Sequence, residues 1–318
     1  MRKIIFLLLT LIVIFCAGCA GIADKEDKAA GSFAVTDARG KELKFSGKPQ
    51  SIVSLYVYGD EILLGLVDHK RIAGLSKWVH DPGLSMAVQE AADVTKVAEN
   101  NPEAILALKP DLVLLPDSTK KEQIASLEDL GLKVFVYHSP TRLDNIAATI
   151  KEMGNAVGEP QKAEMLINNM QQKLRTVEAK AKQAAPAQRK NALLFLRFGA
   201  IGGQGIIFND LLSAAGIEDC YNRARPQGSE KEGTSRILSK EEVVKANPDY
   251  LIMGSWTQGG AYKATDEQLQ EIYNDPALAT VTAVKKKQAI IIPQSYVNCL
   301  SHHAAESVEQ LYKAVYEK

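Results

Sequence analysis

EAILALKPDLVLL (Glu103–Leu115) and EEVVKANPDYLIM (Glu241–Met253) are the two stretches that decide how this chain folds. Laid side by side, Glu, Pro and Asp fall at the same offsets. Each begins with a run of helix formers, stops at Pro-Asp and continues as a short apolar run. Proline removes a backbone donor and disfavours helix in the residue before it, so the helix ends there. The apolar run that follows is too short for a buried helix and reads as a strand covered on both faces. One such unit in each half of a 318-residue chain predicts two related α/β lobes.

The surrounding pattern extends both lobes. Ser51–Tyr56 and Arg71–Leu75 read as strands flanking a helix at Asp60–Val67, and Thr119–Leu130 as a helix leading to a strand at Lys133–Tyr137. In the second half, Ala192–Phe198, Tyr250–Met253 and Ala289–Ile292 read as strands. Asn209–Ala215 and His302–Tyr316 read as helices. Phe33–Phe45 reads as a hairpin turned by Asp37-Ala-Arg-Gly40. Between the halves, Ala163, Leu166, Ile167, Met170, Leu174, Val177 and Ala181 recur at helical spacing, bounded by Pro160 and Pro186. The expectation is an α/β protein of two Rossmann-like lobes with parallel sheets, bridged by a single long helix. Residues 33–158 form the N-terminal lobe, 159–186 the spine and 187–318 the C-terminal lobe.

The start of the chain concerns its address. Arg2 and Lys3 precede an apolar run from Ile4 to Phe15, broken only by Thr10. Residues 1–18 read as an export signal, since the run falls short of the roughly 20 residues a spanning helix needs. Ala17-Gly18-Cys19 resembles a bacterial lipobox, with Cys16 standing where Leu is usual. That resemblance implies lipidation at Cys19, residues 19–32 as a tether, and a protein anchored to a bacterial membrane facing the periplasm or the cell exterior. Basic and acidic residues balance at 38 each, and removal of the signal leaves a slight acidic excess. Nothing here favours nucleic acid. Cys220 and Cys299 remain in the globule, and the sequence leaves open whether they pair.

Ligands of open parallel sheets bind beyond the carboxyl ends of the strands. The residues there are Tyr56, Tyr58, Trp78, His80, Asp117, Ser118, Tyr137 and His138 in the first half. In the second half they are Arg197, Phe198, Ser255, Trp256, Tyr296, His302 and His303. Aromatic faces suit a large planar or macrocyclic ligand, and Arg197 suits carboxylate or chelate oxygens. Tyr56, Tyr58, Trp78, His80, Tyr137, Arg197, Trp256, Tyr296 and His302 are therefore the candidate ligand contacts. Gly202-Gly-Gln-Gly205 lacks dinucleotide-binding spacing, and the chain has no G-x-S-x-G or H-E-x-x-H. No catalytic set, resident cofactor or metal-ligand spacing is expected.

Ser51–Leu55, Glu61–Leu64, Arg71–Gly74, the two Pro-Asp units and Ile291-Ile-Pro-Gln-Ser-Tyr296 together resemble the iron-chelate and cobalamin periplasmic-binding family. The resemblance runs from about Ser51 to the C-terminus. It implies a monomeric solute-binding protein that delivers its ligand to an ABC permease dimer with its ATPase. A ferric siderophore ranks first as ligand, with cobalamin or another corrinoid and haem as alternatives. A cell-surface enzyme such as a metal-dependent hydrolase or chelatase is the alternative of another class. In the family an acidic residue on each lobe docks with the permease; the matching positions are Glu103 and Glu241, with Glu242 adjacent.

Overall fold

The structure is a computed structural model that describes residues 31–94, 101–183, 189–196, 198–224, 234–256 and 264–317. The signal, Cys19, most of the tether and Arg197 lie outside the described residues. Among the described residues, no helix is long and apolar enough to cross a membrane.

The N-terminal lobe opens with the expected hairpin, β1 (Phe33–Thr36) against β2 (Glu42–Phe45). Its turn is made by Asp37, whose carboxylate accepts from the Arg39 and Lys41 amides, and by Gly40 at φ 80°. Next comes a four-stranded parallel sheet in the order β4-β3-β5-β6: Ile72–Gly74, Ile52–Ser54, Leu112–Pro116 and Val134–Tyr137. Every residue of β3, β5 and β6 is buried, because helices cover both faces. Helices α1 (Val57–Leu66) and α4 (Ile146–Ala156) pack on Ile52, Leu112, Leu114 and Phe135. Helices α2 (Pro102–Ala107) and α3 (Lys121–Asp129) cover Val53, Val113, Leu115, Val134 and Val136.

Helix α5 (Pro160–Gln183) follows, about 36 Å long at 1.5 Å per residue. Its predicted stripe is buried at Ala163, Ile167, Met170, Leu174, Val177 and Ala181. Glycines bring the backbone close at both ends. A Cβ at Gly154 would lie 2.4 Å from Ala163 Cβ, and one at Gly216 2.7 Å from Ala181 Cβ. The entry to the helix is pinned by the Arg71 guanidinium, which donates to Glu159 Oε1 (2.6 Å) and the Val157 carbonyl (2.6 Å).

The C-terminal lobe corrects one expectation: its sheet is mixed. The order is β10-β8-β7-β11-β12, with β9 (Glu218–Asp219) pairing β7. Strands β7 (Asn191–Leu196), β11 (Tyr250–Ser255) and β12 (Ala289–Pro293) are parallel. Strand β8 (Gly199–Gln204) runs against them, and β10 (Thr234–Ile237), antiparallel to β8 at the edge, runs in their direction again. Leu196 of β7 stands opposite Gly199 of β8, which has φ 126°. Helices α6 (Ile207–Ala214) and α7 (Tyr221–Ala224) follow β8 and β9; α8 (Lys240–Ala246) leads into β11. Helices α9 (Ala264–Asn274) and α10 (Thr282–Lys285) precede β12, and α11 (Gln294–Val297) and α12 (Ala304–Tyr316) close the lobe.

Gly202-Gly203 thus belongs to a strand. A Cβ at Gly202 would stand 2.2 Å from the ring of Tyr221, which is fully buried. Gly202→Ala is expected to lower stability by about 2 kcal/mol through overpacking, read as a lower urea midpoint with an unchanged slope. An unchanged midpoint would mean that the Tyr221 ring moves aside at no cost.

The two Pro-Asp units are one device used twice. Lys109 (φ 52°) and Asn247 (φ 44°) take the left-handed conformation that ends each helix. The Asp after each proline then fastens the start of the neighbouring strand. Asp111 accepts from the Gln50 (2.6 Å) and Ser51 (3.0 Å) amides. Asp249 accepts from the Asn191 amide (3.2 Å) and side chain (2.7 Å).

Candidate functional site

The carboxyl ends of β3 and β6 bring three tyrosines together. Tyr56 caps α1, Tyr58 lies in its first turn, and Tyr137 ends β6. Ring centroids are 6.2 Å apart for Tyr56 and Tyr58, and 6.1 Å, edge to face, for Tyr58 and Tyr137. Hydroxyls continue the cluster: Tyr58 donates to Ser139 Oγ (3.4 Å), which donates to Ser118 Oγ (3.2 Å). Thr119 Oγ1 donates to Tyr56 Oη (3.5 Å), and Asp117 accepts from the Ser139 amide (3.0 Å). Burial raises the Tyr58 phenol above its ordinary range, so the ring stays a neutral donor. Tyr137 departs from the sequence expectation. It is fully buried, so it supports Tyr58 from beneath and offers no surface of its own. A Cβ at Gly59 would lie 2.3 Å from its hydroxyl, which explains the small residue there.

Below the tyrosines sits Asp60, fully buried at the start of α1. Its Oδ2 accepts from the Ser76 amide (3.1 Å) and hydroxyl (2.5 Å). Its Oδ1, Ser54 Oγ and the Tyr137 hydroxyl have no hydrogen-bond partner. Burial pushes the Asp60 carboxyl up to about 7, against the hydrogen bonds from Ser76.

The second cluster crosses between the lobes. The 3₁₀ turn Lys77–His80 places the Trp78 ring 5.9 Å from that of Trp256, which follows β11, at an interplanar angle of 74°. Trp256 Nε1 donates to Asp81 Oδ2 (3.0 Å), and the Ser295 amide donates to the Gly83 carbonyl (2.9 Å). Lys77 Nζ lies 4.5 Å above the Trp78 ring. His80 is half-buried on the same turn, and Tyr296 is half-buried in α11 against the main core. Further back, the buried Glu61 carboxylate accepts from Ser85 Oγ, the Met86 amide and, across the lobes, Ser301 Oγ. On the other flank, Arg142 and Asp210 form a two-bond ion pair at 2.7 Å. That pair borders a groove of about 930 Å³ running along α5.

His302 is not brought to either cluster. It packs against α1 and α5, with Cε1 3.3 Å from where a Gly65 Cβ would stand, at the end of α1 remote from the tyrosines. Burial, then His303 and Lys173, push its imidazole down to about 3, so it is neutral. His138 is exposed and held by Glu152 at 2.7 Å. Phe198 is exposed at the β7–β8 turn. Asp81 and Gly83 are the contributors that sequence reading missed, and their one signal was the Asp-Pro-Gly turn after Trp78. Among the described residues, no three His, Cys, Asp or Glu side chains are arranged to hold a metal ion. Both cysteines are free and buried, and burial raises both thiols, Cys299 to about 12.

Glu103 and Glu241 are exposed in the first turns of α2 and α8. Glu242 is committed elsewhere. It pairs with Arg236 at 2.9 Å and 2.5 Å and accepts from the Ser239 amide, which lowers its carboxyl to about 2.

Two α/β lobes on one long helix, with aromatic side chains at the strand ends of both, are the frame of a periplasmic binding protein. The model of that family, periplasmic binding protein, matches residues 52–296, and the chain belongs to it. The chain is 24% identical over 327 residues to the uncharacterized ABC transporter substrate-binding lipoprotein YvrC of Bacillus subtilis, covering 99% of this chain and 97% of that one. It is 21% identical over 211 residues to a vitamin B12-binding protein of Pectobacterium atrosepticum, covering 65% of this chain and 72% of the relative. Among solved structures it is similar to the periplasmic heme-binding protein RhuT of Roseiflexus sp. RS-1, with a TM-score of 0.68 and 21% identity over 84% of this chain and 98% of that one.

Proposed function

We propose that the protein is the solute-binding lipoprotein of an ABC importer and that its cargo is an organic metal chelate: a ferric siderophore, a corrinoid or a haem. The observation that carries the reading is the pairing of aromatic and hydroxyl surface at the strand ends. Tyr56, Tyr58, Ser118 and Ser139 supply polar tips on one lobe, and Trp78 and Trp256 supply flat apolar faces between the lobes. A chelate with an extended face and a polar rim satisfies both, since aromatic rings gain by stacking and hydroxyls by pairing with rim oxygens and nitrogens. The similarity to YvrC over nearly the whole chain supports the transporter context and the lipid anchor at Cys19. In this reading the cargo is captured and handed on unchanged to a permease and its ATPase, with Glu103 and Glu241 facing the permease.

Both tryptophans of the chain belong to the site, so binding has an intrinsic reporter. Titration with ferrichrome, cyanocobalamin and haemin is expected to quench emission saturably for one of them. The dissociation constant should be micromolar or below, about −8 kcal/mol or better. Flat titrations with all three would remove the chelate reading and leave the fold unaffected. Release of a chemically altered chelate would favour an enzyme instead.

A further inference from the structure

Trp256 is held by the lobe it does not belong to. Its indole N–H donates to Asp81 Oδ2 at 3.0 Å, and its ring meets the edge or face of Trp78 at 5.9 Å. Asp81 is itself fixed: Oδ1 accepts from the Gly83 amide (2.8 Å), and its carbonyl accepts from Leu84 (3.0 Å) and Ser85 (2.8 Å). Gly83 supplies the clearance, since a Cβ there would lie 2.7 Å from Trp256 Cδ1. Residues 78–83 of the N-terminal lobe therefore form a seat shaped for one side chain of the C-terminal lobe.

We propose that Asp81 is a positioning residue for the solute site: it holds Trp256 across the cleft against Trp78, so that the aromatic wall is assembled before the solute arrives. This rests on the reading of the strand ends as the solute site. A flat side chain left free at the end of a strand has to be ordered at each binding event, at a cost in entropy. The charged acceptor at Asp81 meets that cost in the folded protein, and hydrogen bonds to charged acceptors are the stronger kind. The seat also ties the wall to lobe arrangement, because separation of the lobes parts Trp256 from both Asp81 and Trp78.

The test is a double-mutant cycle between Asp81→Ala and Trp256→Phe, which keeps an aromatic ring but removes the donor. Binding is read with ferrichrome, cyanocobalamin and haemin. For the probe that the native protein binds, Asp81→Ala is expected to weaken affinity about tenfold, the scale of a hydrogen bond to a charged group. In the Trp256→Phe background the same change is expected to cost less than twofold. Equal losses in both backgrounds would overturn the proposal, because Asp81 would then act through its turn alone. A second readout needs no ligand. In Trp78→Phe, Trp256 is the sole tryptophan, and adding Asp81→Ala should at least double its acrylamide quenching constant. Asp81→Leu covers the case in which the alanine variant fails to fold. It keeps the branched shape of the side chain but presents no acceptor to either donor, and should show the same rise in quenching. Unchanged quenching in the foldable variant would overturn the positioning role. If the native protein binds none of the probes, the chelate reading fails, and the quenching readout alone decides whether Asp81 holds Trp256.

Discussion

Replacing Glu103→Lys and Glu241→Lys together is expected to leave solute affinity within twofold of native and to reduce uptake by more than tenfold. The two carboxylates are exposed in the opening turns of α2 and α8, and neither belongs to the tyrosine or tryptophan cluster. They are also equivalent by construction. Each stands at the start of the helix that runs into the Pro-Asp stop, so the duplication of the lobes places one on each. In the proposed docking, a permease dimer would offer two equivalent basic sites, and the two matching acids would register the loaded protein over both. Charge of this kind acts through encounter and register more than through raw affinity. Each reversal exchanges attraction for repulsion, so the double variant should fail where either single variant is only slowed. Glu241 is suited to the role: the helix-start amide holds its carboxyl below the usual range, so it is charged at any physiological pH. The cost to the fold is small, some tenths of a kcal/mol per site from the lost helix-dipole interaction. Glu242→Lys is the contrasting control. It breaks the Arg236 pair and the capping bond to Ser239 and should lower stability by about 1 kcal/mol. Uptake of labelled chelate, measured beside affinity in the same variants, separates the two. Native uptake by the double reversal would remove the docking assignment.

Much of the frame was legible because it rests on local rules. Pro110-Asp111 and Pro248-Asp249 stop helices wherever they occur, and the apolar runs after them are buried from both sides. The stripe from Ala163 to Ala181 could face only one way. The antiparallel edge of the C-terminal sheet was hidden for the opposite reason. Strand β8 is glycine-rich, lacks β-branched residues apart from Ile201, and gains its order from Tyr221 and Leu238 packing over Gly202. The candidate site divides along the same line. Position after a strand picked out Tyr56 and Tyr58, which lie side by side, and Trp78 and Trp256, which meet across the lobes. It did not reveal that Tyr137 points inward or that His302 lies against the spine, because side-chain direction at a strand end depends on neighbours from other elements. Asp81 was invisible as a contributor, since its partner lies 175 residues away.

As pH rises from 5 to 8, the native protein should lose stability relative to an Asp60→Asn variant. Burial raises the Asp60 carboxyl from 3.8 to about 7. An acid whose folded pKa lies above its unfolded value binds its proton more tightly in the native state. Its contribution is therefore present below about pH 4 and lost as pH climbs through about 7. A shift of this size corresponds to a loss on the order of 4 kcal/mol at 1.36 kcal/mol per unit. Asp219, which burial raises to about 6, has the same sign and supplies a smaller share. The surroundings of Asp60 make asparagine a fair replacement. Its amide oxygen can accept from the Ser76 amide and hydroxyl as Oδ2 does now. Its N–H groups would then face Ser54 Oγ and the Tyr137 hydroxyl, which lack partners at present. The neighbouring Glu61 charge, which raises the Asp60 carboxyl further, no longer opposes anything once residue 60 is neutral. Urea unfolding at pH 5, 6.5 and 8 should show the native protein losing roughly 3 kcal/mol relative to the variant, since the loss from Asp219 and the opposing gain from His302, held down to about 3 by burial, are common to both. Parallel curves for the two proteins would mean that Asp60 keeps the same proton affinity folded and unfolded, which a carboxyl this deeply enclosed does only if water reaches it from the tyrosine side.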